Sequence, residues 1–282
     1  MDNLDEYLFP ETVEEAVELL GREENDTRII AGGTSIGLDK NKSQSVDSLV
    51  DITRLGLDYI EENNEGLAIG ATTPMSELEN SELVASYAGG IISAAAGKVG
   101  TTPLRNMVTL GGNISRLRVW SDMPATLLAS DARIKITGAD GKKEFRAEEF
   151  FASHPGRLLD RTDLVTEIVI PSRWQSSAGS HLKFAKTDDS YATVSLGAVL
   201  KLSGDQVEEA RLAVGSAAPL PVYCEEASSL LEGEKIEEDI VEEAARVSRE
   251  NISTVDNLWG SASYKSILIE RLTPRVLNGC LE

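Results

Sequence analysis

Apolar positions along this chain recur at two spacings, and the spacing changes from stretch to stretch. In "ETVEEAVELL", residues 11–20, Val13, Ala16, Val17 and Leu20 fall on one face at helical spacing, which predicts an amphipathic first helix. Thr12 stands at its N-cap position, and Glu15 three residues on completes a capping box. Short apolar runs at Arg28–Ala31, at "LVDI" (49–52) and at "LAIGA" (67–71) predict strands. A run of small residues from about Leu83 to Ala96 predicts a single helix whose Ala-rich face allows close backbone packing. In "ARIKITGADGKKEFRA" (132–147), alternating Ile residues, an Asp140-Gly141 turn and a polar return predict a hairpin. "DLVTEIVIP" (163–171) predicts a strand ended by Pro171.

The periodicity lapses in "SRWQSSAGSH" (172–181), a Ser/Gly-rich stretch that marks a domain boundary. Beyond it, "ATVSLGAVLKLSGD" and "EEARLAVGSAAP" predict two strands joined by a turn. Three helical segments follow. "VYCEEASSLLEG" is short. "IEEDIVEEAARVSREN" carries Ile236, Ile240, Val241 and Ala244 on one stripe, and "SASYKSILIERLTPRVL" contains Pro274, which is expected to bend or restart the helix. Strands first and helices second give an α+β pattern. The expected domains are 1–175, with subdomains of about 1–55 and 56–175, and 176–282.

Composition narrows the function. The formal net charge of −20 repels phosphate backbones and anionic lipid, so neither nucleic acid nor a membrane surface is an expected partner. Aromatic residues are only 5%, so the core must be mainly aliphatic. Cys224 and Cys280 form no CxxC pair and have no Cys/His cluster around them, so no protein-borne zinc or iron–sulfur site, or other metal site, is expected. A disulfide between them stays open, and two lone cysteines equally suit a reducing cytosol. The N-terminal stretch lacks a basic segment followed by an apolar core, so it is not read as a signal peptide, and the expected location is cytoplasmic.

Two stretches share one device. "RIIAGGTSIG" (28–37) and "VTLGGNIS" (108–115) each run apolar residues into Gly-Gly and then small polar side chains. Glycine removes the Cβ and admits positive φ, so backbone N–H groups can converge on an anion such as a pyrophosphate. Thr34, Ser35, Thr109 and Asn113 add side-chain donors. Neither stretch fits GxGxxG or the Walker pattern. Taken singly, each also reads as a tight turn with no ligand.

The second stretch extends as "LRNMVTLGGN", then Asp122 nine residues past Asn113, then "MPATLLASDARI". This pattern, with Ala31-Gly32-Gly33-Thr34-Ser35 upstream, resembles the flavin-binding subunit of the molybdenum hydroxylases, the family of xanthine dehydrogenase and carbon monoxide dehydrogenase. "FPETVEEAVELL", "DLVTEIVIP", "LKFAKTDDSYATVSLGAVLKL", "EARLAVGSAAPLPV" and "SASYKSILIERL" are similar to further family segments, so the resemblance covers nearly the whole chain. It implies an α+β fold: a two-lobed FAD-binding domain, then a smaller α+β C-terminal domain of antiparallel strands and helices.

The resemblance also implies a ligand set for FAD. Ala31, Gly32, Gly33, Thr34, Ser35 and Ile36 would wrap the pyrophosphate through backbone N–H groups. Thr109, Leu110, Gly111, Gly112 and Asn113 would approach it from another side, so that a Cβ on Gly111 or Gly112 would intrude on it. Asp122 would accept from a ribityl or ribose hydroxyl; its other reading is an N-cap with Pro124 near N1. Val165 and Lys183 match family positions near the flavin, and Lys183 also reads as a solvated surface lysine. Tyr191 matches a tyrosine that covers the isoalloxazine ring in some members, where it gates access; it also reads as a core tyrosine. Arg105 and Asn106 read as loop supports, and His154 and His181, in loop-like sequence, receive no catalytic role.

The implied activity is that of an FAD-dependent oxidoreductase subunit. It would take electrons from an iron–sulfur subunit, work beside a molybdopterin-binding large subunit, and pass electrons to an acceptor such as NAD. One departure from the family stands out. Between Asn113 and Asp122 the family usually has small residues and a proline, whereas this chain reads "ISRLRVWS". Arg116, Arg118 and Trp120 there would make a cofactor pocket narrower and more positive. Two other readings stand beside the relay: a flavin-free scaffold that kept the fold, and a self-sufficient flavin oxidoreductase.

Overall fold

The computed structural model describes residues 4–22, 26–36 and 46–282. Gly37, the last residue of the first diglycine stretch, lies outside the described residues. The described residues build three sheets over three apolar cores. The first is parallel, in the order β1 (Glu6–Leu8), β3 (Ser48–Asp51), β2 (Thr27–Ile30), with α1 (Val13–Leu20) packed on it. Helix α1 begins as the sequence predicts: Thr12 Oγ1 accepts from the Glu15 amide. The Glu15 carboxylate reaches back one residue further than the box requires, to the Glu11 amide at 2.7 Å.

The second sheet is antiparallel: β4 (Ile60–Asn63), β5 (Gly66–Gly70), β8 (Leu164–Pro171), β6 (Arg133–Gly138) and β7 (Gly141–Arg146) lie in that order. Between β5 and β6 the chain makes six short helices: α2 (Met75–Asn80), α3 (Glu82–Ala85), α4 (Ile91–Ala96), α5 (Thr102–Arg105), α6 (Leu110–Arg116) and α7 (Met123–Ala129). Helices α8 (Ala147–Phe151) and α9 (Pro155–Leu158) link β7 to β8. The predicted helix over Leu83–Ala96 is broken into α3, a 3-10 turn and α4. Gly89 and Gly90 both take positive φ there, and Gly89 lies so close to Gly179 that a Cβ would sit 2.0 Å from its amide nitrogen. The break admits a neighbouring strand.

That strand is β9 (Ala178–Phe184), the edge of a four-stranded antiparallel sheet in the order β12 (Val222–Tyr223), β11 (Gln206–Gly215), β10 (Val194–Ser203), β9. Helices α10 (Glu225–Leu231), α11 (Glu238–Asn251) and α12 (Ala262–Asn278) cover it and close the C-terminal core. Helix α12 runs through Pro274 without restarting. Leu268, Ile269 and Leu272 before the proline and Val276 and Leu277 after it are all buried, so packing on both sides outweighs the one lost backbone bond. Cys224 and Cys280 are buried free thiols, each pushed up to about 12 by burial.

Helix α7 joins the two larger cores. All seven of its residues are buried, as its unbroken apolar sequence requires. Met123, Leu127, Leu128 and Ala129 belong to the central core, while the Ala125 carbonyl and the Ala129 methyl lie against Gly197 of β10. An ion network seals the same junction. Asp131, buried just after α7, is shared by Arg146 and Arg173, and Arg211 of β11 pairs with Glu148 and donates to the Leu128 carbonyl at 3.0 Å. Among the described residues no helix is long and apolar enough to cross a membrane.

Candidate functional site

The two diglycine stretches meet. A Cβ on Gly32 would lie 1.5 Å from the Met107 carbonyl oxygen, so only glycine lets the first bend touch the segment that leads into the second. Gly33 takes φ +70, which turns the chain at the end of β2. Ala31 to Ile36 are half-buried. Among the described residues, the amides of Gly32, Gly33, Thr34 and Ser35 find no acceptor.

The second bend is built differently. Residues 108–111 run antiparallel to the segment after β5: the Met75 amide donates to Val108, Leu110 to Thr73 at 3.0 Å, and Gly111 to Ala71 at 2.8 Å. Thr109 caps α6 by accepting from the Gly112 amide, and the Asn113 amide donates to the Thr109 carbonyl. All four amides from Leu110 to Asn113 are therefore spent inside the protein. Leu110 is fully buried in the central core. A Cβ on Gly111 would sit 2.7 Å from the Ala71 Cβ, so its smallness serves packing rather than leaving room for a ligand. Only Gly112 is exposed.

Asn113 passes the connection on. Its Oδ1 accepts from Ser121 Oγ at 2.5 Å, which ties the second bend to the loop carrying Asp122. Asp122 occupies the N-cap of α7 with proline in the first turn, as one sequence reading expects, but its side chain makes no capping bond. It turns instead to Lys183 of β9, with Oδ2 3.2 Å from Nζ, and both side chains are about 95% buried, at 4% and 5% exposure. Lys183 is thus no solvated lysine; its ammonium also donates to the Lys98 carbonyl at 2.7 Å. The other oxygen of Asp122, Oδ1, is buried with no hydrogen-bond partner. Burial pushes this carboxyl up to about 6, against the opposing pull of Lys183.

His181 lies in β9, two residues before Lys183, and not in a loop; strand pairing with Gly197 sets it there. Burial, with Lys183 and Lys98 nearby, pulls its imidazole down to about 3, so it stays neutral. His154 caps α9 through Nδ1. Arg105 braces the approach to the second bend through Glu79, at 2.7 Å, and the Gly100 carbonyl. Val165 is buried on β8 with its side chain in the central core. Arg116, from the unusual loop, sits near Arg118 and Arg28; burial and these two cations hold its guanidinium below the usual range.

Tyr191 is 47% exposed and no core residue. It packs against Trp120 (ring centroids 4.7 Å apart) and Trp259 (5.6 Å), which also touch each other at 4.7 Å. Trp259 escapes a motif-based reading. Its one sequence signal is a tryptophan inside the turn "DNLWGS" in a chain poor in aromatics.

The donor set fits a dinucleotide with hydroxyl-bearing linkers: among the described residues, amides without acceptors at one bend, and a buried carboxylate oxygen without a donor. Comparisons with known proteins agree. Residues 3–173 match the FAD binding domain in molybdopterin dehydrogenase, and residues 181–279 match the CO dehydrogenase flavoprotein C-terminal domain. The chain is 29% identical over 275 residues to the carbon monoxide dehydrogenase medium chain of Hydrogenophaga pseudoflava, covering 97% of this chain and 96% of that one. It is 30% identical over 269 residues to the glyceraldehyde dehydrogenase medium chain of Sulfolobus acidocaldarius, covering 95% of each. The structure of carbon monoxide dehydrogenase from Hydrogenophaga pseudoflava lacking the Mo-pyranopterin moiety superposes with a TM-score of 0.92 at 28% identity, over 99% of this chain and 97% of that chain. The chain belongs to the family of FAD-binding subunits of the molybdenum hydroxylases, oxidoreductases whose cofactor at this position is FAD.

Proposed function

We infer that this chain is the electron-relay subunit of a multi-subunit molybdopterin-dependent dehydrogenase. It receives electrons from an iron–sulfur subunit, sits beside a molybdopterin-binding large subunit, and delivers electrons to a soluble acceptor such as NAD, in the cytoplasm. The division falls near residue 175: the preceding part binds FAD, and the C-terminal part supplies Lys183, Tyr191 and Trp259. The observation that carries the reading is the buried Asp122–Lys183 pair with one carboxylate oxygen left unpartnered at the end of a contact path running from both diglycine bends.

Flavin supplies reversible uptake and release of two electrons; the protein binds it, orients it and controls access. The amides of Gly32 to Ser35, without acceptors among the described residues, would meet the pyrophosphate charge where water is displaced. Asp122 Oδ1 would accept a hydrogen bond from a hydroxyl of the cofactor's sugar or ribityl portion, which would remove the cost of burying it unpaired. Lys183 holds that carboxylate in place. Tyr191 would cover the flavin ring and exclude water from it.

Titration of the full chain with FAD tests this directly. One FAD per chain, with oxidised-flavin absorbance, is expected in the wild type, and Asp122→Ala should bind at least about tenfold more weakly. Reduction of the bound flavin should require the partner subunits and their substrate. A colourless chain that cannot be loaded overturns the flavin site in favour of a scaffold; steady turnover with a simple donor and no partner overturns the relay.

A further inference from the structure

We propose that Trp120 and Trp259 are positioning residues that clamp Tyr191 as a fixed cover at the flavin site; this rests on the flavin reading above. Tyr191 has no hydrogen bond to hold it: among the described residues, its hydroxyl finds no partner. It lies in the loop between β9 and β10, which is tied at Ser190, by an amide bond to Thr187 and a contact between the Thr187 and Ser190 hydroxyls, and at Thr193, whose amide donates to the Phe184 carbonyl and whose hydroxyl donates to the Trp259 carbonyl. These ties hold the backbone, and ring packing sets where the phenol itself sits.

The two tryptophans, by contrast, are anchored. The Trp259 amide donates to Asn257 Oδ1 at 3.0 Å, its carbonyl accepts from Thr193 Oγ1 at 3.1 Å, and Asn257 and Gly260 bridge on either side of it. Trp120 is fixed through its neighbour Ser121, whose amide bonds to the Arg118 carbonyl at 2.9 Å and whose hydroxyl bonds to Asn113. Trp120 stands two residues before Asp122, and the tyrosine loop leaves the strand that carries Lys183, so the cluster grows from the same two segments that supply the ion pair. Trp120 belongs to the "SRLRVWS" segment that departs from the family pattern. The departure has a physical use: a large flat side chain where small residues are usual joins Trp259, which it also touches, in one continuous aromatic wall for Tyr191 to lean on. A pinned phenol stays against the ring site, where a loose one would swing into solvent.

Excited flavin is quenched on contact by tyrosine or tryptophan through electron transfer, so its fluorescence lifetime reads the position of the cover without any turnover. The full-length chain, loaded with FAD, should show a dominant short lifetime. Tyr191→Leu should lengthen it. Trp120→Ala should raise the long-lived fraction several-fold while FAD affinity changes less than tenfold. Trp120→Phe keeps a flat ring but donates electrons poorly, so it should restore the short lifetime through Tyr191. Trp259→Phe should behave like the wild type and Trp259→Ala like Trp120→Ala.

An unchanged lifetime in both Ala variants overturns the clamp. So does a Trp120→Phe lifetime as long as that of Trp120→Ala, which would make Trp120 itself the contacting ring. Thermal unfolding of each variant confirms that the compared chains are folded. A wild-type chain that takes up no FAD fails the flavin reading and the clamp with it; uptake with unaltered lifetimes fails the clamp alone.

Discussion

The two diglycine bends look alike in sequence and do opposite work. In both, the first glycine lets two backbones touch: Gly32 meets Met107, and Gly111 meets Ala71. They part at the amides. The first bend leaves Gly32 to Ser35 without acceptors among the described residues, while the second spends every amide from Leu110 to Asn113 on Ala71, Thr73 and Thr109. One bend is a donor surface. The other is a brace that sets the position of Asn113 and, through Ser121, of Asp122. A Gly-Gly pair thus announces close approach, and whether the approaching party is a ligand or another strand is decided by who accepts its N–H groups.

The contrast can be broken most forcefully at the packing glycines. Gly32→Val should destabilise the chain by about 3 kcal/mol or more, because the new Cβ overlaps a backbone carbonyl that cannot move without parting the bends. Gly111→Val should cost about 2 kcal/mol against Ala71 while the weakening of FAD binding stays secondary. Urea unfolding midpoints, set beside FAD titrations, separate the two quantities. A loss of FAD affinity in Gly111→Val without a loss of stability would reverse the assignment of the second bend as a brace.

The Asp122–Lys183 pair that both bends lead to has its own signature in pH. Folded Asp122 keeps its proton up to about 6, whereas an unfolded aspartate releases it near ~3.9, so its contribution to stability falls as pH rises between these values. His181 acts in the other direction. Folded, it takes up a proton only near 3, while the unfolded imidazole protonates near ~6.5, so stability is fully present above the latter and lost as pH falls. The two partly cancel in the wild type. Asp122→Asn should make stability climb more steeply with pH between 4 and 6, and His181→Gln should make it climb less, measured as melting temperature across that range. Matching slopes in all three proteins would show that neither group titrates as placed here.

The smallest effects sharpen the comparison most. Gly33→Ala should cost about 1 kcal/mol for the positive φ at the donor bend. Gly112→Ala, at an exposed helical position, should alter stability by less than about 1 kcal/mol. If Gly112→Ala nonetheless weakens FAD binding, the outer surface of the second bend touches the cofactor even though its amides do not.

Local chemistry was readable in advance. Thr12 and Glu15 announce α1, and alternating Ile residues with Asp140-Gly141 announce the hairpin of β6 and β7, because each signal lies within a few residues of its effect. The spacing from Asn113 to Asp122 likewise pointed to a real connection, which runs through Ser121. What escaped depends on distant partners. The break at Gly89 is dictated by β9 some ninety residues later, the continuity of α12 by the sheet it covers, and the burial of Lys183 by Asp122 on another element. Trp259 carries no motif at all and gains meaning only beside Trp120 and Tyr191.

Helix α7 has a consequence for how the cofactor gets in. A rod with no watered side, shared between two cores and locked at its far end by Asp131 and its arginines, leaves no seam along which the halves could hinge apart. The central and C-terminal cores therefore stay fixed to each other, so admission of a cofactor cannot depend on their parting.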